Sequence, residues 1–167
     1  MMIKKILLVV LVLLVLAVPA SAQDVSRSAI VGVDDVTVSV GETFTVPVWI
    51  HGVSNLYGYD VRLPHDQAIL QGVSVDHGGW LVPGFVIRQG FWAWNGPGCN
   101  GYCAWYAMTQ LRPSLPVSGS GVLVNVTYTA LQPGTVALVP WSQLSAAGGI
   151  EIFANTQTAT VTVVEGK

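Results

Sequence analysis

The chain has few charged residues, and this scarcity limits what it can bind. Charged side chains make up 10% of its 167 residues, against about 25% in soluble domains generally. Lys4 and Lys5 are two of its seven basic residues, so residues 23–167 retain five basic and nine acidic residues, a formal charge of −4. We expect no basic patch of the kind that binds nucleic acid or an anionic membrane.

Long apolar runs are also missing, apart from the one at residues 6–18. Lys4 and Lys5 precede this run. The small residues of a signal-peptidase cleavage site follow it, in the segment Pro19-Ala20-Ser21-Ala22. The run is short for a membrane span. The pattern predicts a signal peptide over residues 1–22, cleavage after Ala22, and one secreted or cell-surface domain over residues 23–167 without membrane insertion. An uncleaved anchor is the alternative.

Only two cysteines are present, Cys99 and Cys103. In an exported protein they are predicted to form a disulfide, which would stiffen one hairpin tip because the closed loop is short. A CxxxC pair without further ligands nearby does not indicate a zinc site. The sequence also has no DxDxDG-type calcium loop. We predict no metal and no cofactor.

The sequence contains no recognisable catalytic motif. Its three histidines, His51, His65 and His77, lie on separate segments and beside no Ser- or Cys-centred elbow. His65 is better interpreted as a half-buried residue bonded to backbone, and Asp66 as the closing residue of an Asx-type turn. We therefore predict that the protein is not an enzyme.

Amphipathic helical periodicity is absent from residues 23–167, which instead alternate apolar and polar residues between turn residues. The pattern predicts an all-β sandwich. Residues 121–131 alternate most cleanly, with Val122, Val124 and Val126 predicted to point inward and Leu123 and Asn125 outward.

Several segments, in order, resemble a cohesin domain over residues 30–164. They are Val36-Thr37-Val38, Val40-Gly41-Glu42-Thr43-Phe44-Thr45-Val46-Pro47-Val48, Leu56-Tyr57-Gly58-Tyr59-Asp60-Val61-Arg62-Leu63, Ala68-Ile69-Leu70-Gln71-Gly72-Val73-Ser74-Val75, Gly121-Val122-Leu123-Val124-Asn125-Val126-Thr127-Tyr128-Thr129-Ala130 and Ala159-Thr160-Val161-Thr162-Val163. His65-Asp66-Gln67 stands where the family usually has Tyr-Asp-Pro, and residues 77–112 are richer in aromatics than a typical cohesin.

The resemblance implies a nine-stranded jelly-roll β-sandwich of the cohesin or carbohydrate-binding-module type. Cohesins dock calcium-loaded dockerin modules on one sheet face and so assemble extracellular polysaccharide-degrading complexes. A dockerin-like partner is therefore the first expectation, and a structural role in a surface assembly is an alternative. The possible docking face comprises Asp60, Arg62, Leu123 and Asn125; Leu56, like Leu123, is predicted to point outward.

A hairpin over residues 91–106 concentrates aromatic residues around a Gly/Pro/Asn turn. Pairing Asn95 with Tyr102 and Trp92 with Trp105 would put Trp92, Trp94 and Trp105 on one face. That face is either covered by residues 77–90 or 112–120, or exposed as an aromatic platform with Tyr102 at its rim. An exposed platform would bind polysaccharide directly or anchor a protein partner.

Overall fold

The structure is a computed structural model and describes residues 29–82 and 84–166. The predicted signal peptide, residues 1–22, lies outside the described residues. The described part contains no helix long and apolar enough to cross a membrane. Its strands are β1 (Ala29–Gly32), β2 (Val36–Ser39), β3 (Thr43–Leu56), β4 (Gly58–Pro64), β5 (Leu70–His77), β6 (Phe85–Gly96), β7 (Cys99–Thr109), β8 (Val117–Ala130), β9 (Gly134–Leu138), β10 (Trp141–Ser145), β11 (Glu151–Ile152), β12 (Ala154–Gln157) and β13 (Ala159–Val164).

The strands form two five-stranded sheets and one smaller sheet. One five-stranded sheet has the order β12-β1-β3-β8-β5, the other has the order β11-β10-β4-β7-β6, and β2-β13-β9 form the third. The all-β sandwich is thus confirmed. The expected nine strands are approximate, because short pieces such as β11 and β12 are separate strands here.

The core lies between the sheets and is built by period-2 alternation. Val46 and Val48 of β3 point into the same apolar cluster as Val61 and Leu63 of β4. The hydroxyl of Tyr59 on β4 donates a 2.6 Å hydrogen bond to the carbonyl of Leu123 on β8, which ties the two five-stranded sheets together. Burial raises the pKa of that hydroxyl, so it remains a donor.

The expected outward orientation of Leu123 and Leu56 is wrong, since both side chains are fully buried. The register between β3 and β8 shifts between Val48 and Trp49, which pair with Val124 and Val122. Leu123 is the extra residue of this β-bulge, and a bulge re-aims the side chain it carries. Leu56 pairs with Val117 after two further shifts. Strict alternation therefore fails at both positions.

The aromatic hairpin is formed by β6 and β7, and β6 is the edge strand of its sheet. On its inner side, Phe91 packs against the core and lies directly over Gly72 of β5, where a Cβ would be 2.4 Å from the Phe91 ring. Gln89 donates a 2.8 Å hydrogen bond to the carbonyl of Val75. The hairpin is therefore fastened to the opposite sheet on one side and leaves its other side outward.

Candidate functional site: a tryptophan–arginine sheet face

The outward side of β10, β4, β7 and β6 gathers tryptophan and arginine, and we call it the Trp/Arg face. Register brings Trp141 of β10 opposite Arg62 of β4, and Arg62 opposite Trp105 of β7. Arg88 of β6 pairs with Ala107, which is two residues along β7 from Trp105. These residues come from four strands, of which only β6 and β7 are consecutive in sequence, so the sheet order creates the cluster.

Arg62 lies between two indoles. Its guanidinium carbon is 4.0 Å from the ring centroid of Trp105 and 4.4 Å from that of Trp141. It also donates to both carboxylate oxygens of Asp60, at 3.3 and 2.8 Å. The residue is only 8% exposed, and this bidentate pairing compensates the burial of its charge.

The hairpin tip folds onto the same surface. Arg62 donates a further hydrogen bond to the carbonyl of Pro97 in the turn. Gly98 has a φ of 71° and lies so close to Trp141 that a Cβ would be 2.2 Å from the indole Cγ; only glycine fits there. The sulfur atoms of Cys99 and Cys103 lie at disulfide distance across four residues. Arg62, Trp141 and the cysteine pair together hold the tip against the sheet.

The three hairpin tryptophans differ in exposure. Trp92 and Trp94 are 42% and 43% exposed, whereas Trp105 is 7% exposed. Trp105 is covered by Arg62 and by Arg88, whose guanidinium carbon is 5.2 Å from its ring centroid and 4.9 Å from that of Trp92. The platform is therefore exposed at two indoles, and side chains rather than a loop cover the third. Residues 85–90, considered above as part of a covering loop, belong to β6.

The predicted hairpin register is wrong by two residues, but the predicted faces are correct. Trp92 pairs with Cys103 and Asn95 with Asn100, while Trp105 lies opposite Gly90. The turn is tighter than predicted, since strand pairing continues to Gly96 and Cys99. A shift of two residues preserves the side-chain parity of a strand.

Tyr102 was predicted at the rim of the tryptophan platform, but its side chain points to the other face of the hairpin. Tyr102 pairs with Ala93, and its ring stacks on Phe91 at 6.2 Å, on the opposite side of the hairpin from the tryptophans. It does share a shallow cleft with Trp94, Asn95 and Gln67 at the hairpin tip. Tyr102 thus lines the cleft at the hairpin tip and is not part of the platform.

His65 lies behind the hairpin and is buried, where a half-buried residue was predicted. Its ring is 5.6 Å from both Phe91 and Tyr102 and 4.8 Å from Tyr128, centroid to centroid. Its Nδ1 is 3.4 Å from the Leu63 carbonyl. Burial lowers the pKa of His65 despite this backbone bond. The Asx-type turn at Asp66 is confirmed, because its carboxylate accepts a 2.8 Å hydrogen bond from the Ala68 amide.

The four residues proposed as a docking face do not form one surface. Asp60 and Arg62 lie on the Trp/Arg face, but Asn125 is on β8 of the other sheet, paired with Pro47 and Asp76. Leu123 is buried. Only Asp60 and Arg62, both on β4, lie on the same surface.

A shallow groove crosses the Trp/Arg face beside Arg88. Its floor includes Trp105, Ala107 and Asp60, and its walls come from Ile87 of β6 on one side and from the segment ending at Glu151 on the other. Ile87 is well exposed. The groove therefore combines apolar surface with one arginine and two carboxylates. In the described part of the chain, no three His, Cys, Asp or Glu side chains are grouped to hold a metal ion.

Sequence reasoning missed Trp141 and Arg88 as members of this face. Trp141 joins it because β10 pairs with β4, nearly eighty positions earlier in the chain, a long-range contact that no local pattern reveals. Arg88 faces outward because the β6–β7 register shifts between Val86 and Arg88. The alternation Trp141, Gln143, Ser145 was the available signal for β10.

Comparisons with known proteins agree with the β-sandwich fold. Residues 30–83 match the family model for the cohesin domain. No curated protein matches the chain, but solved cohesin structures do. The family-model match is confined to residues 30–83, and the solved structures show that the chain has the cohesin fold.

The solved structures share the fold at low identity. A non-cellulosomal cohesin from the archaeon Archaeoglobus fulgidus is 16% identical, with a TM-score of 0.62 over 82% of this chain and 91% of that one. A type I cohesin–dockerin complex from Clostridium thermocellum is 12% identical, with a TM-score of 0.68 over 83% and 95%. The sixth cohesin of Acetivibrio cellulolyticus scaffoldin B, solved with a Cel5 dockerin mutant, is 15% identical, with a TM-score of 0.65 over 82% and 99%.

Proposed function

We propose that the protein is a secreted, non-catalytic recognition module that docks a dockerin-type protein through its Trp/Arg face, within an extracellular polysaccharide-related assembly. The observation that carries this proposal is the ordered array of Trp141, Arg62, Trp105, Arg88 and Trp92 across a sheet face. Tryptophan and arginine are the side chains that contribute most to binding energy at protein interfaces. The cohesin fold adds support, since similar structures were solved in complex with dockerins.

The array is prepared for binding before a partner arrives. Arg62 is already desolvated and paired, and the hairpin tip is held by the hydrogen bond from Arg62 to the Pro97 carbonyl and by the cysteine pair. A partner therefore needs to order few side chains on this surface, and ordering side chains is one of the main costs of association.

The test is capture of purified, calcium-loaded dockerins by the immobilised secreted protein, with a parallel series in chelator. We expect calcium-dependent capture of at least one dockerin. The Trp92→Ala/Trp94→Ala variant should lose capture, whereas Trp49→Ala, which removes an indole from the other sheet, should retain it. Absence of calcium-dependent capture across the panel would contradict the proposal.

Direct binding of polysaccharide is a second candidate. It is favoured by the adjacent exposed indoles of Trp92 and Trp94 and by the tip cleft, where Asn95 and Gln67 offer amide groups. The amide of Gln110 is buried and does not contribute. Affinity electrophoresis through gels containing neutral polysaccharides tests this candidate: retardation that disappears in Trp94→Ala supports it, and unchanged mobility throughout the series opposes it.

A further inference from the structure

The Trp/Arg face carries two arginines that are stacked alike but bonded differently. Arg62 is nearly buried, and its donors are used by Asp60 and Pro97. Arg88 is exposed and stacks on Trp92 and Trp105, yet within the described residues it forms no hydrogen bond or ion pair. One guanidinium is committed to the fold, and the other is available to a ligand.

The charge distribution makes Arg88 unusual for this protein. Residues 29–82 and 84–166 contain only three basic residues, Arg62, Arg88 and Arg112, against eight acidic ones. Two of the three are on the Trp/Arg face. An acidic protein has thus placed most of its described positive charge on one surface, and electrostatic complementarity across an interface selects the opposite sign in a partner.

A second unused donor belongs to Trp105, whose ring centroid is 5.2 Å from the Arg88 guanidinium carbon. The indole nitrogen of Trp105 is buried and has no hydrogen-bond partner among the described residues. Apolar surface surrounds these donors, since Trp92 and Ile87 are both exposed. The immediate surroundings therefore favour an acceptor of negative charge that is flanked by apolar groups.

We propose that Arg88 receives a single carboxylate, from an Asp or Glu side chain of a protein partner whose neighbouring apolar side chains pack on Trp92 and Ile87. This inference rests on the proposed function, because it takes the partner to be a protein. A uniformly acidic polysaccharide fits less well: Asp60 and Glu151 line the same groove, and the domain is acidic overall, so a chain of closely spaced carboxylates would be repelled.

A direct test uses short peptide probes and nuclear magnetic resonance of the isotope-labelled protein. The probes are the tripeptide acetyl-Leu-Glu-Leu-amide, its isosteric control acetyl-Leu-Gln-Leu-amide, and polygalacturonate. We expect the Glu peptide to shift the Arg88 Nε–H and Trp92 indole N–H resonances at millimolar concentration, with at least a fivefold smaller response to the Gln peptide. Arg88→Gln should abolish the difference, while Arg112→Gln, which removes an arginine outside the face, should preserve it.

Equal shifts with both peptides, no shift with either, or shifts with polygalacturonate alone would overturn the inference. A dockerin captured as described above gives an independent readout. Arg88→Gln should weaken its binding about ten- to a hundredfold, the loss expected for a charge-assisted hydrogen bond, and the deficit should shrink as salt rises. If capture occurs and Arg88→Gln has no effect, the inference fails and the proposed function stands. If no dockerin is captured, the proposed function fails and the peptide comparison still decides the role of Arg88.

Discussion

The two outer faces of the sandwich obey the same alternation rule but differ in chemistry. On the β3–β8 side, hydroxyls pair with one another: Thr43 with Thr129 and Thr45 with Thr127, each at 2.9 Å. On the Trp/Arg face, the facing positions hold indoles and guanidinium groups. One face satisfies its polar groups internally, and the other presents apolar area together with an unpaired cation.

This difference indicates which face is suited to recognition. A hydroxyl ladder offers a partner little apolar surface, and desolvating it returns little free energy. Indoles offer large rigid areas that lose little entropy on binding. The β3–β8 face does carry one indole, Trp49, but it lies over Gly32 beside His51, apart from the cationic array.

The largest effect on stability should come from Arg62→Ala. It leaves the Asp60 carboxylate and the Pro97 carbonyl without their donor and opens a gap between two indoles. We expect the free energy of unfolding to fall by about 3 kcal/mol, measured by urea denaturation. Arg62→Lys should restore less than half of this loss, since an ammonium group cannot reproduce the planar, bidentate contacts. Full restoration by lysine would contradict the stacking account.

Trp92→Ala/Trp94→Ala should act on binding rather than on folding. Because both indoles are exposed, we expect less than about 1 kcal/mol of destabilisation but at least a hundredfold loss of affinity for a captured dockerin, measured by isothermal titration calorimetry. A variant that unfolds more readily while binding normally would assign these residues to the core instead.

Cys99→Ser/Cys103→Ser should have an intermediate effect. A bridge across four residues closes a short loop, and the chain-entropy relation gives at most about 2 kcal/mol. We expect a lower midpoint in thermal unfolding, equal to that of the wild-type protein in reductant. Partner affinity should also fall, because the hairpin tip loses one of its constraints. An unchanged midpoint would mean that Arg62 and Trp141 hold the tip without the cysteines.

Stability should decline in mild acid through His65 and His77. Burial lowers the pKa of both histidines below the ordinary histidine value of about 6.5, so the unfolded chain binds protons that the folded chain does not. Their contribution is complete above about pH 6.5 and diminishes as the pH falls below it. Denaturation between pH 5 and 7.5 measures this slope, and His65→Phe together with His77→Gln should flatten it. An unchanged slope in the double variant would exclude both residues as its cause.

The smallest effect is expected on the opposite face. Thr45→Val/Thr127→Val replaces an exposed hydroxyl pair by β-branched side chains of similar shape, which suit a strand. We expect a change in the free energy of unfolding within about 0.5 kcal/mol and no change in dockerin affinity. A loss of affinity in this variant would move the recognition surface to the β3–β8 side.

The sequence predicted what depends on local alternation and missed what depends on long-range pairing. The all-β fold, the facing of Trp92 and Trp94, the backbone bond of His65 and the turn at Asp66 all follow from neighbouring residues. The error at Leu123 arose from a bulge, which one sequence does not reveal. Strand order brings Trp141 to the face, and a register shift brings Arg88 there. The covering of Trp105 by two arginines depends on strand order for Arg62 and on the register shift for Arg88.

Hydroxyl-radical footprinting of the tryptophans tests the central claim most directly, because the same residue type reports on both faces in one experiment. The purified protein is oxidised alone and in complex with a captured calcium-loaded dockerin, and each indole is quantified by mass spectrometry. We expect oxidation of Trp92 and Trp94 to fall severalfold in the complex, while that of Trp49 is unchanged. Protection of Trp49 with unchanged oxidation of Trp92 and Trp94 would contradict recognition through the Trp/Arg face.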